Sequence, residues 1–195
     1  MIYPWTIVDD KPLIETEQWM KSSLLSKGIP LKYVREPDKV TAKRLESIFT
    51  YLSGSRNFIL IVSNRTAYVS SLFYYLASTW LVNTAKQFEI IDLTKIQEDD
   101  TLLYKMEQTS LLMIPFNDSD NYKLRGVRNA LGAMLIRRQV KNLPTIIELY
   151  IKQPPNNLNN QELLGLLKNL ASLYGDPAAS TFMDKNSNVK LLKLG

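Results

Sequence analysis

The stretch FILIV at residues 58–62 is a run of five apolar residues that includes β-branched members. A short apolar run bounded by polar residues is the pattern of a strand buried on both faces. Further apolar segments that predict strands follow at 88–93, 111–116 and 145–151. Helical patterns alternate with these segments, as in a parallel sheet covered on both sides by helices. The sequence therefore predicts an α/β fold, a three-layer parallel sheet flanked by helices.

Helical spacing of apolar residues is found in six segments: 15–27, 41–52, 68–85, 101–108, 122–141 and 161–174. A segment at 29–34 is expected to be extended. Gly175 is expected to end the last helix, and the tail after Asp176 to be either a short strand or disordered. We expect one domain: a helical lead-in (1–53), a sheet core (54–152), and a small C-terminal helix with a tail (153–195).

The composition excludes several kinds of site. The chain has no cysteine and no histidine, which removes disulfides, thiolate metal sites and any catalytic triad that needs either residue. No run of 18 apolar residues is present, and the N-terminus has acids where a signal peptide needs a basic flank. We therefore expect a soluble, cytoplasmic protein with no membrane contact.

The net charge of +5 leaves two interpretations open. The excess of basic residues either keeps the protein soluble or attracts nucleic acid or an acidic protein surface.

The segment GIPLKY at 28–33, followed by a helix, a short loop and the strand FILIV, resembles the bacterial replicative-helicase loaders and related transposition ATPases of the DnaC, DnaI and IstB type. The resemblance covers about residues 20 to 175 and rests on the order and spacing of elements. It implies an AAA+-like P-loop core. In that family the first strand leads into a phosphate-binding loop.

The phosphate-loop pattern G-x-x-x-x-G-K-[ST] falls on residues 63–70. Its glycines let backbone N–H groups approach the phosphates, its lysine neutralises them, and its hydroxyl holds magnesium. Ser63 and Tyr68 stand at the two glycine positions and Val69 at the lysine position, so only Ser70 matches. A tyrosine ring where backbone must approach phosphate, and the loss of the lysine charge, both oppose nucleotide binding.

The other motifs implied by the resemblance are also missing. The acidic strand end that holds magnesium is replaced by Pro115 and Phe116, and the polar sensor at the end of the fourth strand by Glu148, Leu149 and Tyr150. The family's late arginine has no counterpart, because no arginine follows Arg138. We therefore expect a degenerate nucleotide site, no enzymatic activity, no cofactor and no metal.

Asp118 and Asp120 offer an alternative acidic site. The simpler interpretation is a polar loop that caps the helix expected from Tyr122.

The predicted helix at 122–141 has the most uneven charge in the chain. It contains six cations and no acid: Lys123, Arg125, Arg128, Arg137, Arg138 and Lys141. These residues are candidates for contact with DNA or with an acidic partner. The alternative is a solvated face on a helix whose apolar side packs on the sheet. By resemblance to the loaders, Arg137 or Arg138 is also a candidate for a subunit interface.

Three further features have two interpretations each. Arg56 and Arg65 flank the first strand as exposed charges or as an anion site. The aromatic run with Tyr74 and Trp80 is expected to pack in the core, the alternative being base stacking or a partner surface. Trp5 and Trp19 either seal the edge of the sheet or anchor a partner.

These observations predict a non-catalytic adaptor or regulator of DNA replication, resembling a helicase loader and acting through protein contacts. The expected partners are a helicase, loader or initiator, or an ATPase relative. Two alternatives remain: a single-stranded or nonspecific DNA-binding module that uses the basic helix, and a protein that binds a nucleotide structurally without hydrolysis.

Overall fold

The central feature of the fold is a five-stranded sheet in which every neighbouring pair is parallel. The structure, a computed structural model, describes residues 1–54, 57–97, 101–116, 126–152, 159–184 and 189–194. A separate two-strand hairpin pairs β1 (Ile7–Val8) with β2 (Lys11–Pro12). The strands of the large sheet are β3 (Phe58–Ser63), β4 (Phe88–Ile90), β5 (Leu111–Ile114), β6 (Thr145–Tyr150) and β7 (Val189–Leu194). Their order across the sheet is β4-β5-β6-β3-β7.

Helices cover both faces of this sheet. In chain order they are α1 (Leu13–Thr16), α2 (Gln18–Ser26), α3 (Lys39–Leu52), α4 (Thr66–Thr84), α5 (Leu102–Gln108), α6 (Arg128–Val140), α7 (Asn160–Tyr174) and α8 (Asp176–Met183), with 3₁₀ turns at Leu31–Val34 and Leu93–Gln97. None of these helices is long and apolar enough to cross a membrane.

Side chains of β3 alternate between two hydrophobic cores, as the two-residue period of a strand requires. Ile59 and Ile61 join the core under α1 to α4, while Leu60 and Val62 join the core under α5 to α8. All six residues of the strand are buried. The predicted α/β architecture with helices on both faces is therefore confirmed.

The structure differs from the sequence-based prediction at 29–34, where the chain forms a 3₁₀ turn rather than an extended segment. The Tyr33 N–H donates to the Pro30 carbonyl at 3.1 Å, which closes the turn. Pro30 has φ −66° and ψ 139°, and a proline at this φ fits both an extended chain and the start of a turn.

The C-terminal tail contains two elements beyond the predicted helix. Gly175 adopts φ +83° and ends α7, and Pro177 in the first turn of the next helix allows α8 to begin at once. Residues 189–194 then form β7, which confirms the short-strand alternative for the tail. The sheet is therefore not confined to residues 54–152.

Two other elements have bounds that differ from those predicted from the sequence. The predicted strand at 88–93 ends at Ile90, and the 3₁₀ turn Leu93–Gln97 follows it. Of the predicted helix at 122–141, the described part is α6, while 117–125 lies outside the described residues.

Helices α6 and α7 approach closely at Gly132. A Cβ built on Gly132 would lie 1.9 Å from the carbonyl oxygen of Tyr174, so no side chain fits there. Gly165 in α7 provides a contrast, because a Cβ on that residue meets nothing within 4 Å.

Replacing Gly132 with Ala should destabilise the protein by about 2 kcal/mol or more, because the helices must separate to admit the methyl group. Gly165→Ala should stabilise it by up to about 1 kcal/mol through helix propensity alone. Urea unfolding of both variants measures the difference. Equal unfolding free energies would show that the close approach at Gly132 is absent.

Candidate functional site at the carboxyl edge of the sheet

The candidate site lies where the chain leaves strands β3 and β6. The chain passes from β3 into α4, whose Val69 and Leu72 belong to the first core, and from β6 towards α7, whose Leu166 belongs to the second. The two connections thus diverge to opposite faces of the sheet. In open parallel sheets, ligands bind at this kind of divergence, outside the carboxyl ends of the strands.

The connection between β3 and α4 is a short turn of two residues, Asn64 and Arg65. The Ser63 hydroxyl, which is buried, accepts a hydrogen bond from the Arg65 N–H at 2.8 Å. The Arg65 carbonyl accepts from the N–H groups of Tyr68 and Val69, at 3.0 and 3.2 Å. Since those two N–H groups are used inside the helix, they are not free to bind a phosphate.

The side chains at the expected phosphate-loop positions serve the packing of α4. Val69 is fully buried in the first core. The Tyr68 hydroxyl lies 3.3 Å from Thr41 Oγ1 at the start of α3, and the Arg44 guanidinium lies 5.1 Å from the Tyr68 ring centroid. Ser70 is partly buried. The structure thus joins the starts of α3 and α4 at Tyr68, where a phosphate loop has a glycine.

The expected acidic strand end is occupied by apolar groups. Pro115 and Phe116 are partly buried, and the Phe116 ring stacks on Tyr150 with centroids 5.2 Å apart. The Phe116 N–H donates to Glu148 Oε2 at 2.9 Å. This hydrogen bond links the carboxyl ends of β5 and β6.

Glu148 is the one buried acid among the described residues, and it was identified from the sequence only as a departure from the sensor motif. It lies on β6 opposite Ile61 of β3, and its Oε1 has no hydrogen-bond partner within the described ranges. Burial raises the pKa of Glu148 to about 7, against the smaller opposing effect of the Phe116 N–H. The sequence signal for this group was an acid that directly follows two isoleucines and precedes Leu149 inside a predicted strand.

Arg138 is a structural residue with no exposed surface. Its Nη1 donates to the carbonyls of Met106 and Thr109, both at 2.7 Å, and its Nη2 to the Pro144 carbonyl at 2.7 Å. Its Nε donates to Thr145 Oγ1 at 2.9 Å. Burial lowers its pKa to about 10.

The structure thus places Arg138 where it cannot contact DNA or a partner subunit, contrary to the prediction. The sequence signal for the burial of Arg138 was its spacing from Leu131 and Met134, because this spacing places Arg138 on the apolar side of α6.

The other cations of the basic helix are only partly available. Arg137 donates to Glu107 Oε2 at 3.0 and 3.1 Å, and Lys141 Nζ lies 3.1 Å from Glu107 Oε1. Hydrogen bonds from Arg137 and then Lys141 hold the pKa of Glu107 below its usual value. Arg128 is partly buried. Lys123 and Arg125, together with Asp118 and Asp120, lie outside the described residues.

Arg65 is exposed at the start of α4, while Arg56 lies outside the described residues. Within the described ranges, no group of three or more acidic side chains is placed to hold a metal ion.

The aromatic residues divide between core and surface. Trp80 is buried near Phe49, and the Tyr74 ring lies 4.9 Å from that of Tyr33, so the run on α4 packs internally. Trp5 is partly buried and meets Tyr75 edge to face. Trp19 is exposed on α2.

Comparison with known proteins identifies the fold. The crystal structure of the DnaC helicase loader matches this chain with a TM-score of 0.52 and 14% sequence identity, over 81% of this chain and 93% of that chain. No protein-family model and no curated protein sequence matches the chain. The protein therefore shares its fold with the DnaC helicase loader, as the resemblance predicted.

The neighbouring arginines of α6 allow a matched test of burial. Arg138→Met should cost about 3 to 5 kcal/mol, because it leaves several buried acceptors without their donor. Arg137→Met should cost less than about 1 kcal/mol, because it removes a half-exposed ion pair. Denaturant unfolding measures both, and similar costs would contradict the burial of Arg138.

Glu148 should make stability depend on pH. The unfolded chain releases the proton near pH 4.5 and the folded chain near pH 7, so stability falls across this window, by roughly 3 kcal/mol. Glu148→Gln cannot ionise, so its unfolding free energy relative to the original protein should increase between about pH 4 and pH 8.

Glu107→Gln is a control, because the stabilising effect of Glu107 should change with pH in the direction opposite to that of Glu148. The lowered pKa of Glu107 means that its stabilising effect is present at neutral pH and is lost as the pH falls. At pH 7 the Glu107→Gln variant should therefore be less stable than the original protein. In acid its unfolding free energy should approach that of the original protein. A Glu148→Gln difference that does not change with pH would show that Glu148 ionises normally in the folded state.

Proposed function

We propose that this protein is a non-catalytic relative of the helicase loaders, acting in DNA replication through protein contacts. The observation that carries the proposal is the turn between β3 and α4. Helix α4 begins at Thr66, and Tyr68 and Val69 are already hydrogen-bonded within its first turn. A triphosphate needs a wider loop whose N–H groups remain free.

The electrostatics of this edge also oppose nucleotide binding. The position of the phosphate-binding lysine is held by Val69, which faces the core. Glu148 lies two residues before Tyr150, which is paired with Ser63 at the end of β3. An acid near the expected phosphate position repels the ligand when it is ionised and provides no positive charge when it is protonated.

The role in replication is supported by the likeness to a solved helicase loader. A role that rests on protein contacts needs no nucleotide cycle, so it is compatible with the closed turn between β3 and α4. The proposed partners are the replicative helicase, its loader or the initiator, or an ATPase relative with which this chain pairs.

The DNA-binding alternative has less support from the described residues. Arg138 is buried, and Arg137 and Lys141 share the carboxylate of Glu107. The number of cations free to contact phosphates is therefore smaller than the sequence suggested, and each missing contact reduces the electrostatic affinity.

The proposal is tested by capture of the tagged protein from nuclease-treated lysate of its native host, followed by binding to the purified candidate. We expect recovery of the replicative helicase, its loader or the initiator, and direct binding of that protein without nucleotide. The tag alone serves as the control. Recovery of no replication protein would contradict the adaptor role.

A second test measures the melting temperature of the purified protein with and without about 5 mM ATP and magnesium. A ligand that binds only the folded state raises the melting temperature, by an amount that corresponds to about 2.7 kcal/mol at a hundredfold excess over its dissociation constant. We expect no shift for this protein, and a clear shift for a loader with an intact phosphate loop. A shift of similar size in both would refute the loss of nucleotide binding.

A further inference from the structure

The exposed apolar residues of this protein concentrate at its N-terminus. Among the described residues, half of the large hydrophobic side chains that are exposed lie within the first 19 positions: Met1, Ile2, Ile7, Val8 and Trp19. Residues 1–20 also carry four acids and one lysine, a net charge of −3, while the remaining 175 residues carry 23 basic and 15 acidic residues, or +8. Apolar surface with an acidic rim typically marks a contact site.

The hairpin at residues 7–12, here the acidic hairpin, holds these groups in a fixed geometry. Ile7 pairs with Pro12 and Val8 with Lys11. Asp9 and Asp10 form the turn with φ +49° and +63°, the left-handed conformation of a tight type I′ hairpin turn. Ile7 is 63% exposed beside the two carboxylates, which form no ion pair with any described residue.

A surface of complementary character lies on α6. Ala133, Ile136, Arg137 and Val140 follow the i, i+3, i+4, i+7 spacing of one helix face, and Val140 is 76% exposed. Beside this face a cavity of about 110 Å³ opens between α6 and the junction of α7 and α8, with Pro177 on its wall. We call this face and its cavity the α6 groove.

The size and charge of the α6 groove fit the acidic hairpin. A cavity on the order of 150 Å³ holds benzene, so this smaller one suits a branched aliphatic side chain such as Ile7 or Val8. At the end of the groove, Arg137 and Lys141 share the single carboxylate of Glu107, which leaves a local charge of +1. This pair can therefore accept a second carboxylate, which is the group that Asp9 and Asp10 of the acidic hairpin carry.

The two surfaces lie on opposite sides of the sheet. The acidic hairpin adjoins α1, whose Ile14 belongs to the core under α1 to α4, whereas α6 belongs to the core on the other face. One chain therefore cannot join its own surfaces. We propose that the acidic hairpin of one copy docks in the α6 groove of a second copy, so that the protein associates head to tail.

This contact is heterologous, because each copy contributes a different surface, and the pair leaves one hairpin and one groove free. The hairpin is small, which places the interface at the low end of known sizes and predicts dissociation constants in about the micromolar range. The charge contribution predicts weaker association at high salt. The inference does not depend on the proposed function, because it concerns the protein alone.

The test is sedimentation equilibrium of the purified protein from about 5 to 500 μM at low salt. We expect the average mass to rise with concentration, and to stay monomeric in the hairpin variant Asp9→Lys with Asp10→Lys. The groove variant Arg137→Glu with Lys141→Glu should also stay monomeric. When the two variants are mixed they should associate, because the intact groove of the first receives the intact hairpin of the second.

A matched charge reversal controls for net charge. The variant Lys39→Glu with Lys43→Glu changes the net charge by as much as the groove variant does, but on the exposed surface of α3. It should associate like the original protein. Circular dichroism checks that each variant is folded. If the groove variant fails to fold beside Glu107, Val140→Ser tests the same surface without a charge change and should weaken association at least several-fold.

Three results would overturn the proposal. The first is a monomer at every concentration. The second is association that neither the hairpin variant nor the groove variant weakens, which would place the interface elsewhere. The third is loss of association in both variants with no recovery on mixing, which indicates that the two surfaces do not meet each other.

Discussion

The burial of strand β3 on both faces and along both edges is the constraint on which the rest of the structure depends. All six residues are buried, and the strand pairs along its length with β6 on one side and β7 on the other. Its alternate side chains form the centre of each hydrophobic core. Since the strand has no polar side chain before Ser63, it is stable only when helices cover both faces and strands satisfy both edges.

The same strand determines what its carboxyl end can do. In a phosphate-binding fold the chain must leave the first strand in a wide loop before the helix begins. Here the Ser63 hydroxyl and the Arg65 carbonyl accept the N–H groups of the residues that follow, so α4 starts after two residues. Val69 then adds to the core instead of holding a charge. The packing of α4 against β3 and α3 therefore uses the residues that a nucleotide site would need.

The sequence was sufficient to predict the elements whose character is local. Runs such as residues 58–62 need no distant information to be identified as buried strands, and the expected parallel α/β fold is confirmed. The extended segment expected at 29–34 was wrong because Pro30 fits both conformations and the hydrogen bond from Tyr33 decides between them. For the tail, the sequence did not decide between a short strand and disorder, because the pairing of β7 depends on β3, which is far away in sequence.

The candidate site was less predictable than the fold. Residue type and spacing located the positions equivalent to a phosphate loop, but the early start of α4 depends on hydrogen bonds that a residue pattern does not show. Arg137 and Arg138 are adjacent and identical in the sequence, yet the Arg137 side chain is half exposed and Arg138 has no exposed surface. The helix position relative to Leu131 distinguishes them. Glu148 was visible in the sequence, and its burial and raised pKa follow from the depth of β6 in the sheet.

The position of β7 has a consequence for how the chain is synthesised. Phe58 pairs with Val189, 131 positions later, so one edge of the central strand stays unpaired while the intervening residues are made. An open edge on a fully apolar strand is a template for pairing with other chains, and contacts between residues so distant form slowly. On the ribosome, the nascent protein therefore passes through a long period in which this apolar strand has an unpaired edge, until residues 189–194 emerge.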